Sequence, residues 1–368
     1  MSEILALHSS DENYGADRIV QYVVTALSRD GANVRLLLPT DVTPGRHGLS
    51  QNLLADSDVE VSHKRMPVLR RRYVSFRGVW QLIFDCFAFL NFVRSIAKPD
   101  KVYVATSAML PTAILVKALT GARLILHMQE RWSGADRLIL SALALFTSRI
   151  ICISSVVQES LPRSLRNRSR VVLNGVPDMG LRKRDHVQGP PSFLVASRWN
   201  LWKGHGTLLN AWELCQTSGY LRIVGGPPPL GEGFDVPAAV DANRRQSQIE
   251  IVGEVESLLA ALDDTDVLIV PSDAPEPFGL VAIEAFSRGV PVIASAGGGL
   301  DEVMREGEEG WFFERGSAVD LARVIDRLTL QMMRRAGEIS RRTYESKFAL
   351  PGFQERVLQE IALVGGRK

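Results

Sequence analysis

The sequence predicts an α/β protein of two tandem doubly wound, Rossmann-like domains facing a central cleft. Three observations carry this. Short Val/Ile/Leu-rich runs alternate with helix-length segments along the whole chain, the pattern of parallel sheets covered by helices on both faces. At 368 residues the chain is about twice an ordinary domain. The alternation breaks once, at "GVPDMGLRKRDHVQGPPS" (175–192), where Gly, Pro and charge replace any period.

In the first half, "EILALH" (3–8) reads as a strand and Gly15 to Arg29 as a helix. "NVRLLLP" (33–39), "KVYVAT" (101–106), "RLILHM" (123–128) and "RIICIS" (149–154) follow, and "RVVLNG" (170–175) closes the series. The second series runs through "FLVAS" (193–197), "YLRIVGG" (220–226), "IEIVG" (249–253), "DVLIVPS" (266–272), "VPVIAS" (290–295) and "GWFFE" (310–314). Two helical segments, 317–332 and 336–363, end the chain, broken by Pro351. The expected domains are 1–178 and 193–348, a linker at 179–192, and a final helix at 349–368 packed on the first domain. Residues 1–180 hold 22 Lys/Arg against 15 Asp/Glu, and the rest 21 against 26, so the two domains are expected to meet different partners.

Several classes are set aside. The N-terminus "MSEILALHSSDEN" lacks a basic n-region, so a signal peptide is not expected. The most apolar run, "VWQLIFDCFAFLNFV" from Val79, carries Asp85 and is too short to span a bilayer. Cys86, Cys152 and Cys215 are far apart and form no CxxC pair, which fits a reducing, cytoplasmic setting. No GxGxxG follows the first strand, which argues against a dehydrogenase. "DSD" (56–58) and "DTD" (264–266) are read as accidental, so no metal and no cofactor is expected. Nor is a nucleic-acid partner.

"PEPFGLVAIEAFSRGVPVIAS" (275–295) holds Glu276 and Glu284. Pro277 disfavours helix at Glu276 and leaves it on a loop past the strand end. A helix then opens near Phe278-Gly279 and runs to Gly289, carrying Glu284 inside. The first N–H groups of such a helix, at Gly279, Leu280 and Val281, form an anion site suited to phosphate. Carboxylates on either side accept from sugar or ribose hydroxyls; two solvated surface charges would read alike in isolation. Arg198 and Lys203, in "VASRWNLWKGHGTLLNAW", follow the first strand of this domain and are placed to clamp a diphosphate. Gly225-Gly226, after the next strand, lets backbone approach a ligand.

In this order and spacing the segment Phe193 to Met304 resembles the nucleotide-sugar domain of the retaining GT-B glycosyltransferases, glycosyltransferase family 4. The match lies in "SRWNLWKG", "IVGGPPP" and the run through residues 265–302. Weaker matches are "NYGADRIV" (13–20), "LILHMQE" (124–130) and "VLNGVPD" (172–178). The resemblance implies a GT-B fold, with the last helix crossing back to the first domain. It implies transfer of a sugar from a UDP or GDP donor to a saccharide or lipid-linked acceptor, with retention and without a metal. Arg198 and Lys203 would hold the diphosphate, Glu276 a sugar hydroxyl and Glu284 the ribose. Gly225, Phe278, Gly279, Leu280 and Val281 would line the donor. His127 would sit near the transferred sugar, and Gly15 and Asn174 on the acceptor side. A nucleotide-sugar epimerase of the same architecture, or a degenerate partner subunit, is the alternative. Lys64, Arg65, Arg70, Arg71, Arg72 and Arg77 precede the aromatic segment 79–97. Together, residues 64–97 read either as an anionic membrane surface site or as a solvated loop and core helix.

Overall fold

β-Branched and leucine-rich runs bury both faces only where helices cover a parallel sheet, and both sheets here are of that kind. The computed structural model describes residues 2–42, 48–70, 76–182, 189–228 and 233–365. Two units are present, Met1–Asn174 with Pro351–Lys368, and Gly175–Leu350.

The first unit's strands are β1 (Glu3–Leu7), β2 (Asn33–Pro39), β3 (Glu60–Lys64), β4 (Lys101–Val104), β5 (Arg123–Met128), β6 (Arg149–Cys152) and β7 (Ser169–Val171). They lie in the order β3-β2-β1-β4-β5-β6-β7, all parallel, with Leu5 between Arg35 and Val102. Its longer helices are α1 (Gly15–Arg29), α2 (Leu49–Asp56), α3 (Phe76–Ser95), α4 (Leu110–Thr120) and α5 (Gly134–Ala144). The connections through α1 and α2 step towards β3; those through α3, α4 and α5 step the other way. Right-handed crossovers therefore place α3, α4 and α5 together on one face, where α4 packs against both α3 and α5.

The second unit holds β8 (Ser192–Ala196), β9 (Tyr220–Val224), β10 (Ile249–Gly253), β11 (Val267–Val270), β12 (Val292–Ser295) and β13 (Gly310–Phe313). The order is β10-β9-β8-β11-β12-β13, again all parallel. One core face packs Phe193, Ile223 and Ile269 of the strands on Trp212, Leu321 and Ile325 of the helices.

Two details depart from the sequence reading. β3 has no apolar run to announce it, because an edge strand buries little; Glu60 is exposed and the rest half-buried. The first unit ends at Asn174 rather than 178. Val176 N–H donates to the Phe348 carbonyl, and Asp178 is ion-paired to Arg341, which ties that segment to the second unit. The break expected at Pro351 is present: Ala349 is extended, and Pro351 is the second residue of the next helix, Leu350–Ala362, where a missing N–H costs nothing. That helix packs within the first unit, with Gln354 donating to the Tyr22 carbonyl and Lys101 to the Ile361 carbonyl.

Candidate functional site

Ligands of doubly wound sheets sit at the carboxyl ends of the strands. In the second unit the loops there are drawn together by glycines. After β8, the chain turns through the short 3₁₀ helix Leu201–Lys203 into Gly204, at φ +73°. A Cβ at Gly204 would lie 1.8 Å from the Pro271 carbonyl oxygen at the end of β11. The Asp273 N–H donates to the Trp202 carbonyl at 2.8 Å, and Thr207 Oγ1 donates to Asp273. Gly225, at φ +132°, does the same for β9: a Cβ would lie 2.0 Å from the Ser197 carbonyl oxygen.

This close approach sets Lys203 beside Glu276. Lys203 Nζ donates to Glu276 Oε1 at 2.7 Å and stands 4.1 Å from the Trp202 ring centroid. Ser272 Oγ donates to the same carboxylate oxygen. Glu276 is only 5% exposed, and such burial of a carboxylate requires these partners. Its backbone is pinned as well. The Glu276 carbonyl accepts the Gly299 N–H at 2.7 Å, and side chains at Gly298 or Gly299 would strike the backbone of residues 275–278.

The helix Leu280–Ser287 then starts from Gly279, at φ +99°, which leaves its first N–H groups without intrahelical acceptors. Leu280 and Val281 are half-buried. Glu284 lies inside the helix and is 2% exposed. Arg198 is half-buried two residues past β8. His205 Nε2 lies 3.1 Å from Ser197 Oγ and 3.3 Å from the Arg198 carbonyl oxygen. Burial pushes the His205 imidazole down to about 4, helped by Lys203 and opposed by the Arg198 carbonyl, so it is neutral near pH 7.

One candidate takes a different part from the one expected. Phe278 is buried, its ring 6.2 Å from that of Phe348, so its side chain belongs to the core and only its backbone faces the helix start. Lys203 lies in the 3₁₀ turn ahead of the helix His205–Leu214. Ser272 and His205 were not singled out from sequence. Their signal was position alone, one at a strand end and one after a Lys-Gly pair.

In the first unit, Gly15 opens α1 behind Tyr14. Asp17 folds the preceding loop over this start, accepting the Tyr14 and Glu12 N–H groups, Ser10 Oγ at 2.7 Å and His8 Nε2 at 3.0 Å. Burial raises the Asp17 pKa, but these bonds and the His8 charge hold it below the usual range. Asn174 is 1% exposed, and its amide has no hydrogen-bond partner among the described residues. His127 lies at the same end of the first sheet. Its ring is fully buried, with Nδ1 2.6 Å from Tyr103 Oη and the Phe353 ring 6.4 Å away. Burial pushes it down to about 3. β5 is an interior strand, Phe353 of the final helix lies against this ring, and His127 Nε2 has no hydrogen-bond partner among the described residues. Two residues on, past the strand end, Gln129 is only half-buried. Its amide nitrogen has no acceptor among the described residues. The basic run is also partly spoken for. Lys64 lies over the Phe92 ring, Arg65 pairs with Asp85 and Arg70 with Asp41. Arg71 and Arg72 lie outside the described residues, as does the Arg77 side chain.

Residues 181–343, within the second unit, match the family model of the glycosyl transferases group 1. The chain is 25% identical, over 207 residues, to an uncharacterized glycosyltransferase of Methanocaldococcus jannaschii, across 55% of this chain and 56% of that one. It spans about half the length, or less, of the first curated relatives it matches. Among solved structures it is similar to Anabaena HepE in complex with UDP and glucose, with a TM-score of 0.80 and 20% identity over 98% of this chain and 100% of that one. It is similar too to sucrose-phosphate synthase of Thermosynechococcus elongatus, with a TM-score of 0.80 and 19% identity over 99% of each chain. The fold is therefore GT-B, two Rossmann-like parallel-sheet domains.

Proposed function

We propose that the chain is a glycosyltransferase that moves a sugar from a nucleoside diphosphate donor, UDP or GDP, to a saccharide or lipid-linked acceptor. The observation that carries this is the Lys203–Glu276 pair, held at the carboxyl end of the sheet in the domain that matches glycosyl transferases group 1. Breaking an anomeric bond leaves an oxocarbenium-like sugar and a nucleoside diphosphate anion. Fixed positive charge at the leaving group lowers that barrier. Arg198 and Lys203 supply it, and the N–H groups at Gly279, Leu280 and Val281 add donors. Glu276 accepts from a hydroxyl of the transferred sugar, and Glu284 from the ribose. Gly225 gives the close backbone approach. With two cations at the diphosphate, no metal or other cofactor is assigned.

Retention of configuration is proposed on the resemblance alone, and the anomeric proton signal of the product tests it. On the acceptor side, Gly15, Asn174 and His127 remain assigned, and Gln129 joins them. The setting is assembly of cell-surface polysaccharide or glycolipid in the cytoplasm. The free and at least half-buried Cys86, Cys152 and Cys215 suit that compartment. A lipid-linked acceptor would bring residues 64–97 against an anionic membrane surface. The deciding experiment incubates the full chain with UDP- and GDP-sugars and measures released nucleoside diphosphate. Release from at least one donor, reduced about 100-fold or more in Lys203→Ala, is expected. No release and no binding of any donor would overturn the proposal.

A further inference from the structure

The turn that carries Lys203 leaves two large apolar side chains in water. Leu201 is 50% exposed and Trp202 39%, so core burial does not account for an indole at 202. Its placement does. The Trp202 carbonyl accepts the Asp273 N–H at 2.8 Å, and Thr207 Oγ1 steadies the Asp273 carboxylate. Gly204, pressed on the Pro271 carbonyl, fixes the other end of the turn. A stiff aromatic side chain on a fixed backbone has few positions open to it. The one it takes puts its ring centroid 4.1 Å from Lys203 Nζ, where the ring face attracts a cation.

The hydrogen-bond count around Nζ shows what this contact is for. A lysine side chain loses much rotamer freedom when fixed, and a single ion pair at a side chain 22% exposed is a weak tether. The ring supplies a second hold. It does so without adding another negative charge beside a diphosphate. An ammonium has three N–H donors. One goes to Glu276 Oε1 at 2.7 Å, and the ring takes one side of the group. Among the described residues no other acceptor bonds to it, so a donor remains for a phosphate oxygen. On the carboxylate, the bonds from Lys203 and Ser272 both fall on Oε1. Among the described residues Oε2 accepts none, so it remains for a sugar hydroxyl. The pair can therefore stay made while a donor binds, provided that Nζ is held from its other side.

We infer that Trp202 is a positioning residue, whose ring holds the Lys203 ammonium where the donor diphosphate meets it and which acts on the nucleotide only through Lys203. This rests on the assignment of Lys203 to the diphosphate. The test is isothermal titration of the full chain with UDP and with GDP. Wild type is compared with Trp202→Leu, Trp202→Phe, Lys203→Ala and Trp202→Leu/Lys203→Ala. Leu201→Ser is the control on the turn, and thermal melts check that every variant is folded. For the nucleotide that binds, Trp202→Leu should weaken binding about tenfold and Trp202→Phe about threefold or less. In the Lys203→Ala background, Trp202→Leu should change binding by less than about twofold. Leu201→Ser should bind as wild type does. Three results overturn the inference and leave the donor site in place. One is binding by Trp202→Leu as tight as that of wild type. Another is the same loss with and without Lys203, which is a merely structural effect. The third is a loss in Leu201→Ser or in Trp202→Phe equal to that in Trp202→Leu, for the ring would then not be the cause. Binding of neither nucleotide by wild type overturns the donor site itself, and this inference with it.

Discussion

Lys203 Nζ and Glu276 Oε1 are 2.7 Å apart, although 73 residues separate them in the chain. The cation proposed for phosphate and the carboxylate proposed for a sugar hydroxyl hold each other in place. Lys203→Ala would leave Glu276, 5% exposed, with Ser272 but without its cation. Lys203 is itself 22% exposed at the side chain, which screens part of the loss. A cost of about 1–3 kcal/mol is expected. The double variant Lys203→Met/Glu276→Gln should cost less than the sum of the single changes by about 1 kcal/mol. Urea denaturation of the four proteins measures this; strict additivity would show that the pair is not coupled.

Gly204 and Gly225 should tolerate no side chain. Both have positive φ, and an added Cβ would lie 2.0 Å or less from a backbone oxygen. Gly204→Ala and Gly225→Ala are each expected to cost about 3 kcal/mol or more. Gly307 has nearly the φ of Gly204, +74°, with nothing within 4 Å of the built Cβ. Gly307→Ala should therefore cost only about 1 kcal/mol. Equal losses at all three would show that conformation, not close approach, governs the site glycines.

Stability should fall with acid through two buried histidines. Burial holds His127 at about 3 and His205 at about 4, against about 6.5 unfolded. Below about 6.5 the unfolded chain binds protons that the folded chain excludes. The contribution is complete above that pH and is lost as pH falls towards 4, by about 2 kcal/mol for each histidine at pH 5. His127→Phe should flatten the urea midpoint between pH 7 and pH 5 relative to wild type. An unchanged slope would contradict the burial assigned to His127.

Two neighbours at one strand end, His127 and Gln129, can be told apart. Gln129→Ala should lower sugar transfer about tenfold or more with little change in melting temperature. His127→Phe should act chiefly on stability. The opposite pattern would give the acceptor role to the histidine alone.

The strands were legible because burial on both faces writes an apolar run, and β2, β5 and β10 begin and end where the sequence placed them. β3 was not legible, since an edge strand has no such run. The helix after Glu276 was legible for local reasons: Pro277 before it and Gly289, at φ +69°, after it. What sequence could not show was depth. His127 and Gln129 share strand parity, yet His127 is fully buried and lies near the ring of Phe353, more than two hundred residues away, whereas Gln129 is half-buried. Nor could it show that Lys64, Arg65 and Arg70 already have partners.

The most direct test of the donor site is isothermal titration of the full chain with UDP and GDP, for wild type, Glu284→Ala and Glu276→Ala. One nucleotide should bind wild type at one site. Glu284→Ala should weaken it about tenfold or more, a loss of about 1.4 kcal/mol, and Glu276→Ala should leave it nearly unchanged, because Glu276 is assigned to the sugar. Binding of neither nucleotide, or a loss confined to Glu276→Ala, would contradict the assignment.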